Sequence, residues 1–107
     1  MADPMIYIKI HDTENGSIVA MCDEDLIEKV LEEGDIVIDI KSYSGFYKGS
    51  VVDAKKAQDL INELDKVASA NVIGEESVEA ALGCGIISKK GIMKVAKVPY
   101  AHSYSVE

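Results

Sequence analysis

Four side chains that could ligate a metal are spread along the chain: His11, Cys22, Cys84 and His102. Cysteine and histidine together make the donor set of a zinc site. Structural zinc sites, however, take their ligands from closely spaced pairs such as two cysteines separated by two to four residues. Each of these four residues is isolated in the sequence. We therefore predict no metal and no other cofactor.

A thiol nucleophile is the second chemistry that the sequence allows, with Cys22 or Cys84 set beside His102 and Asn71. A reactive thiolate needs an electropositive neighbour that lowers its pKa. Three acidic residues follow Cys22 directly and oppose its ionisation, whereas Cys84 lies between two glycines. The pattern favours two small buried residues of a reducing compartment. A small enzyme with a Cys/His site remains as an alternative.

The charge of the chain is unevenly distributed. The net charge is −8, from 11 lysines and 19 acidic residues, with no arginine. Residues 1–79 contain 18 acids and 7 lysines, whereas residues 80–107 contain 4 lysines and 1 acid. An acidic body repels polyanions on average, and without arginine the chain cannot make bidentate contacts with phosphate or guanine. We therefore predict no DNA partner.

The C-terminal lysines lie close in sequence to aromatic residues. In a strand, Tyr100 and His102 would share one face of the sheet. Lysines mixed with aromatic rings are typical of surfaces that bind single-stranded RNA, where the rings stack on bases. The sequence thus predicts a candidate RNA-binding set: Lys89, Lys90, Lys94, Lys97, Tyr100 and His102. The alternative is that the tyrosine simply packs on the sheet.

Hydrophobic periodicity predicts an α+β protein with a mixed or antiparallel sheet of five to six strands and about three helices. We expect a single domain over residues 5–106, preceded by a ragged extension over residues 1–4. The expected strands are 5–10, 17–21, 35–40, 50–52, 92–98 and 100–106, the last two separated by Pro99. The expected helices are 23–33, 53–68 and 75–82, with a joint at 69–74.

Two of these elements have a second interpretation. Acidic residues crowd the expected first helix, which indicates either a solvated face or an acidic protein–protein adaptor. At the expected joint, Gly74 can end one helix while Glu75 begins the next. The same corner could instead present Asn71 and Glu75 to a ligand.

Four short segments, taken in order, resemble a known family. They are Ala-Met-Cys-Asp-Glu-Asp at 20–25, Phe-Tyr-Lys-Gly at 46–49, Ala-Asn-Val-Ile-Gly-Glu at 70–75 and Val-Pro-Tyr-Ala-His at 98–102. With this spacing the chain resembles, from Met5 onward, the small archaeal proteins grouped as the domain of unknown function DUF424. The motif positions are Phe46, Tyr47, Gly49, Asn71, Gly74, Glu75 and Pro99.

The resemblance implies an archaeal protein of one domain, without an established activity, whose genes lie near translation genes. Members commonly carry histidine where this chain has Tyr100, so a role that needs histidine there does not transfer. We predict a non-catalytic binding module associated with RNA or the translation apparatus, with the small enzyme and the acidic adaptor as alternatives. No apolar run approaches the roughly 20 residues of a membrane helix, and we expect a cytoplasmic monomer or small homo-oligomer.

Overall fold

The computed structural model describes residues 4–104 and consists of one six-stranded sheet, a separate hairpin and three helices. The sheet contains β1 (Ile6–Thr13), β2 (Gly16–Asp23), β5 (Ser50–Val52), β6 (Val67–Ile73), β7 (Met93–Val95) and β8 (Val98–Tyr104), in the order β5-β1-β2-β6-β8-β7. The hairpin pairs β3 (Val30–Glu33) with β4 (Ile36–Asp39). The helices are α1 (Ser44–Tyr47), α2 (Ala54–Asn62) and α3 (Glu75–Cys84). The predicted α+β class is confirmed.

The sheet is covered differently on its two faces. Helices α2 and α3 pack on the first face, against Ile6, Ile8, Val19, Met21 and Val72. The β3–β4 hairpin and the loop that contains α1 cover part of the second face, where Leu31, Ile40 and Tyr47 pack over Cys22 and Tyr100. Because successive strand residues point to opposite faces, each central strand contributes to both clusters.

The expected joint at residues 69–74 is wrong: this segment belongs to β6, an interior strand of the sheet. β6 pairs in parallel with β2 and antiparallel with β8. Its alternate residues Ala70 and Val72 are buried against the helices. Alanine, serine and asparagine have low strand propensity, so the local sequence of this segment alone favours a loop. Pairing on both sides overrides that preference.

The expected helix over 23–33 is also wrong. The chain makes one 3-10 turn at Glu24–Leu26 and then enters the β3–β4 hairpin. Gly34, at φ +60, occupies the hairpin turn, a backbone conformation that favours glycine. Ile27 and Leu31 are both buried. Apolar residues four apart fit one face of a helix, but here Ile27 reaches the core from the turn and Leu31 reaches it from β3.

Two further boundaries differ from the expectation. The expected helix over 53–68 ends at Asn62, and the chain returns to the sheet as β6 from Val67. Pro99 lies inside β8, where its carbonyl accepts a hydrogen bond from the Gly74 N–H at 2.8 Å. The expected start at residues 1–3 and the end of the last strand at 105–106 lie outside the described residues. Within residues 4–104, no helix is long and apolar enough to cross a bilayer.

Candidate functional site

A cleft of about 450 Å³ opens on the second face of the sheet, between β4 and β6. Residues 37–40 form one wall, and Asn71 and Ile73 of β6 form the opposite one. Three aromatic side chains from the loop around α1 complete the lining: Tyr43, Phe46 and Tyr47. An apolar concavity with a few convergent polar groups is the usual form of a ligand site.

The loop that supplies these rings is fixed to β1. The Phe46 ring stacks on His11 with centroids 4.7 Å apart, and His11 Nε2 lies 3.0 Å from the Phe46 carbonyl oxygen. Lys9 donates from Nζ to the Gly45 carbonyl at 3.0 Å. A Cβ at Gly49 would lie 2.3 Å from the Ile8 carbonyl oxygen, so only glycine allows the backbones this close. The aromatic wall is therefore held in place by the sheet.

Two ionisable groups near the cleft floor are held in their neutral forms. Burial raises the pKa of the Tyr47 hydroxyl to about 12. Burial, together with the charges of Asp23 and Asp25, raises the pKa of the Cys22 thiol to about 12. At neutral pH neither group is a proton donor or nucleophile of useful strength.

Asn71 and His102 form a polar pair across β6 and β8, next to the cleft. They are directly opposite in the ladder, and His102 Nδ1 contacts Asn71 Oδ1. A carboxamide oxygen only accepts hydrogen bonds, so Nδ1 is the donor in this contact. The Tyr100 ring meets His102 edge-to-face at 6.1 Å. The expected shared face of Tyr100 and His102 is present.

A second group of polar contacts lies where β2 and β6 end. Asp23 Oδ1 accepts hydrogen bonds from the Ser77 N–H and hydroxyl, both at 2.8 Å, and Oδ2 accepts from the Glu76 N–H at 3.1 Å. Gly74 lies against this carboxylate at φ +110. Asp23 therefore caps α3, not a helix of its own as the sequence indicated. These contacts hold the corner together, and Glu75 is exposed in the first turn of α3.

The sequence model of a protein family, described as a protein of unknown function (DUF424), matches residues 10–106. The chain belongs to the DUF424 family. A crystal structure of an uncharacterized conserved protein from Methanopyrus kandleri superposes with a TM-score of 0.78 and 24% identity, over 94% of this chain and 90% of that one. At this identity the likeness concerns the fold. The comparison with curated proteins gave no match.

The DUF424 motif positions gather at the two places described above. Segments 20–25, 70–75 and 98–102 meet at the α3 corner, through the Asp23 cap, Gly74 and the Pro99 carbonyl. Segment 46–49 supplies the cleft aromatics, and Asn71 joins it from β6. The same strand, β6, thus connects the structural corner to the cleft.

The predicted RNA-binding residues of this DUF424 member do not form one surface. Tyr100 is 8% exposed and packs in the core of the second face. Lys94 pairs with Pro99, one step from the Met93–Tyr100 pair, so its side chain points to the opposite face of the sheet. Lys97 borders a depression whose other ionisable residues are all acidic: Asp23, Glu24, Asp25, Glu75 and Glu76. Lys89 and Lys90 are exposed on a 3-10 turn before β7.

The two cysteines considered as metal ligands or nucleophiles lie on opposite faces of the sheet. Cys22 is buried on the second face, while Cys84 ends α3 on the first face, with its Sγ 3.8 Å from the Gln58 carbonyl oxygen. Burial and the charge of Asp59 raise the pKa of Cys84. Within residues 4–104, no three His, Cys, Asp or Glu side chains are grouped so as to hold a metal ion.

Of the residues that line the cleft, the sequence-based candidates include Phe46, Tyr47 and Asn71 but none of residues 37–40. One signal could have indicated the cleft. Tyr43, Phe46 and Tyr47 bring three of the six aromatic residues of the chain into a five-residue span, which is more than one short loop needs for packing.

Proposed function

We propose that this protein is a non-catalytic binding module whose cleft holds a cationic segment of a partner protein, with the translation apparatus as its source. One observation carries the proposal: the apolar cleft between β4 and β6 is bordered by a strongly acidic hairpin. The link to translation rests on the family resemblance alone.

The charge on the hairpin supports a cationic partner. The hairpin residues 30–39 contain four acids and no lysine. Glu32, Glu33 and Asp35 are exposed, and the Ser42 hydroxyl and N–H lower the pKa of Asp39, which keeps that carboxylate ionised at the cleft. A concave surface of one sign attracts the opposite sign and speeds encounter. The same field repels the phosphates of a nucleic acid.

The exposed apolar side chains indicate a partner that is also partly hydrophobic. Ile36, Val37 and Tyr43 are 47%, 56% and 67% exposed, and the last two line the cleft. Apolar side chains that cluster beside a cleft and are rimmed by charge are characteristic of interaction sites. The neutral Tyr47 hydroxyl in the lining, with the neutral thiol of Cys22 buried beneath the surface, supports binding without catalysis.

A peptide titration tests the proposal. The probe is a heptapeptide of alternating lysine and valine with blocked ends, and the comparison peptide has glutamate in place of lysine. The paired reversal Glu32→Lys with Asp35→Lys should weaken binding of the lysine peptide roughly tenfold. Reversal of Glu14→Lys with Glu63→Lys gives the same net charge at a separate depression and should change binding less than roughly twofold.

The two variants separate a local site from a general charge effect. Equal losses in both would mean that only the net charge attracts the peptide, and the cleft proposal would then be wrong. Binding of the glutamate peptide as tightly as the lysine peptide would contradict it as well.

RNA is a second candidate partner, favoured by the exposure of the C-terminal lysines. Lys89, Lys90 and Lys94 are exposed, and the single ion pair within residues 4–104 is elsewhere, between Lys48 and Glu28 at 3.4 Å. Filter binding of single-stranded and structured RNA, repeated across salt concentrations, measures this contact. Lys89→Glu with Lys90→Glu should abolish binding, and Lys55→Glu with Lys56→Glu on α2 should not. Equal affinity of the two variants would exclude an RNA site at this end.

A further inference from the structure

β4 has one edge that no other strand covers within residues 4–104. It pairs with β3 alone, through a two-residue turn at Gly34 and Asp35. In such a turn the flanking residues, Glu33 and Ile36, exchange hydrogen bonds, and the bonded pairs then alternate along the hairpin. The backbone N–H and C=O groups of Val37 and Asp39 therefore point away from β3.

This uncovered edge borders the cleft. The lining includes Val37 and Asp39, whose side chains share one face of the strand, and Ile38, whose side chain lies on the other. A cavity that touches both faces of a strand runs along its edge. Asn71 and Ile73 form the far wall, so the space between β4 and β6 is open to an extended chain.

We propose that the partner segment binds as an added strand on β4, with apolar and basic side chains in alternation. The inference rests on the proposed function, because it specifies how the same cleft holds its cationic partner. Strand addition obtains affinity from main-chain hydrogen bonds and specificity from alternate side chains. The four residues of β4 offer about 13 Å of edge, at roughly 3.3 Å per residue.

The two faces of the hairpin explain the alternation. Leu31 and Ile38 point inward to the core of the second face, so inward side chains of an added strand would meet Ile73 and the aromatic wall. Glu32 and Asp39 lie on the outward face, beside Val37 and Val30 respectively. Outward side chains of the added strand would therefore lie next to Asp39 on β4, with Glu32 one strand further away, which favours lysine or arginine there.

The same charges disfavour a second copy of this chain on the edge. A β4–β4 pair would bring two hairpins together, each with four acids and no lysine over residues 30–39. Like charges on adjacent strands are destabilising, and charged side chains are a common protection of exposed edges against self-association. The occupant is thus a cationic segment of another protein.

N-methylation of the lysine–valine heptapeptide tests the strand. Successive N–H groups of a strand point to opposite edges, so methylating every lysine nitrogen blocks one edge, and methylating every valine nitrogen blocks the other. Sliding the peptide by one residue cannot restore the blocked hydrogen bonds, because it would turn the lysine side chains into the apolar cleft. Exactly one of the two isomers should therefore bind roughly tenfold more weakly than the unmethylated peptide. Hydrogen exchange of the Val37 and Asp39 amides should also slow roughly tenfold or more in the complex.

The outcomes distinguish this inference from the proposed function. If both isomers bind as well as the parent peptide, or lose affinity equally, strand addition is wrong while a cationic site stands. If the parent peptide does not bind at all, the proposed function fails first. Unchanged exchange at Val37 and Asp39 in a saturated complex would also overturn strand addition.

Discussion

Asp23 caps a helix that begins 52 residues later in the chain: its carboxylate holds both the N–H and the hydroxyl of Ser77, each at 2.8 Å. The helix α3 lacks a capping side chain of its own, because Gly74 stands at its N-cap position. The contact ties the end of β2 to the start of α3 and so fixes the neighbouring parallel strands β2 and β6 to each other.

Replacing Asp23 should therefore destabilise the whole domain. Asp23→Ala leaves the buried N–H and hydroxyl of Ser77 without their acceptor, and we expect the free energy of unfolding to fall by about 2 kcal/mol. Urea denaturation measures this change. The neighbouring Asp25, which is exposed, provides the control: Asp25→Ala should stay within about 0.5 kcal/mol of the parent. Equal effects of the two substitutions would contradict the capping role.

Gly74 should tolerate no side chain. A Cβ there would lie 2.2 Å from Asp23 Cγ, and φ is +110. Gly74→Ala should lower the free energy of unfolding by about 2 kcal/mol or more, since overlap and backbone strain add. Gly45 is the matched position in α1, with nothing within 4 Å of its Cβ site, so Gly45→Ala should be neutral or slightly stabilising. A neutral Gly74→Ala would mean that the corner relaxes easily.

Local patterns were enough to predict the elements whose signals lie within a few residues. An Asn–Gly pair such as Asn15–Gly16 is typical of hairpin turns, and the β1–β2 hairpin closes there with Thr13 opposite Gly16, which has φ +125. Gly74 followed by two glutamates predicts the start of α3 correctly. In both cases the turn chemistry and the flanking residues favour the same structure.

The remaining features depend on contacts between distant segments. β6 has small and polar residues and becomes a strand because β2 and β8 pair with it. The cleft has one wall from residues 37–40 and another from Asn71 and Ile73, so no sequence window contains it. The C-terminal lysines illustrate the converse: they are neighbours in sequence, but strand alternation and a turn send Lys94 and Lys97 to different surroundings.

The pKa values of Asp23 and Asp39 in the folded protein should lie on opposite sides of the ordinary aspartate value. Burial raises the pKa of Asp23 above 3.8, although hydrogen bonds from Ser77 and Glu76 partly counteract it. The folded state then binds this proton more tightly than the unfolded chain. The stability that comes from this tighter proton binding is therefore greatest below pH 3.8 and is lost as the pH rises through the folded pKa, whereas the hydrogen bonds from Ser77 and Glu76 remain.

Asp39 behaves in the opposite way, because the Ser42 hydroxyl and N–H lower its pKa below 3.8. Its contribution is present above that value and is lost as the pH falls through its folded pKa. Carboxyl carbon NMR titration should place the two midpoints on either side of 3.8. Ser42→Ala should raise the midpoint of Asp39 and leave that of Asp23 unchanged. A midpoint of Asp23 below 3.8 would show that its hydrogen bonds outweigh burial.

Both cysteines should resist alkylation in the native protein, which separates a binding module from a thiol enzyme. With a pKa of about 12, Cys22 has on the order of 10⁻⁴ to 10⁻⁵ of its thiol ionised at pH 7.5. Iodoacetamide should leave it unmodified until denaturant is added. Cys84, whose pKa is also raised, should react more slowly than in the unfolded chain, as Cys22→Ser would show by mass spectrometry. Alkylation of native Cys84 that is faster at pH 7.5 than in the unfolded chain would restore the enzyme alternative, because only a thiol activated by its surroundings reacts faster than an unperturbed one.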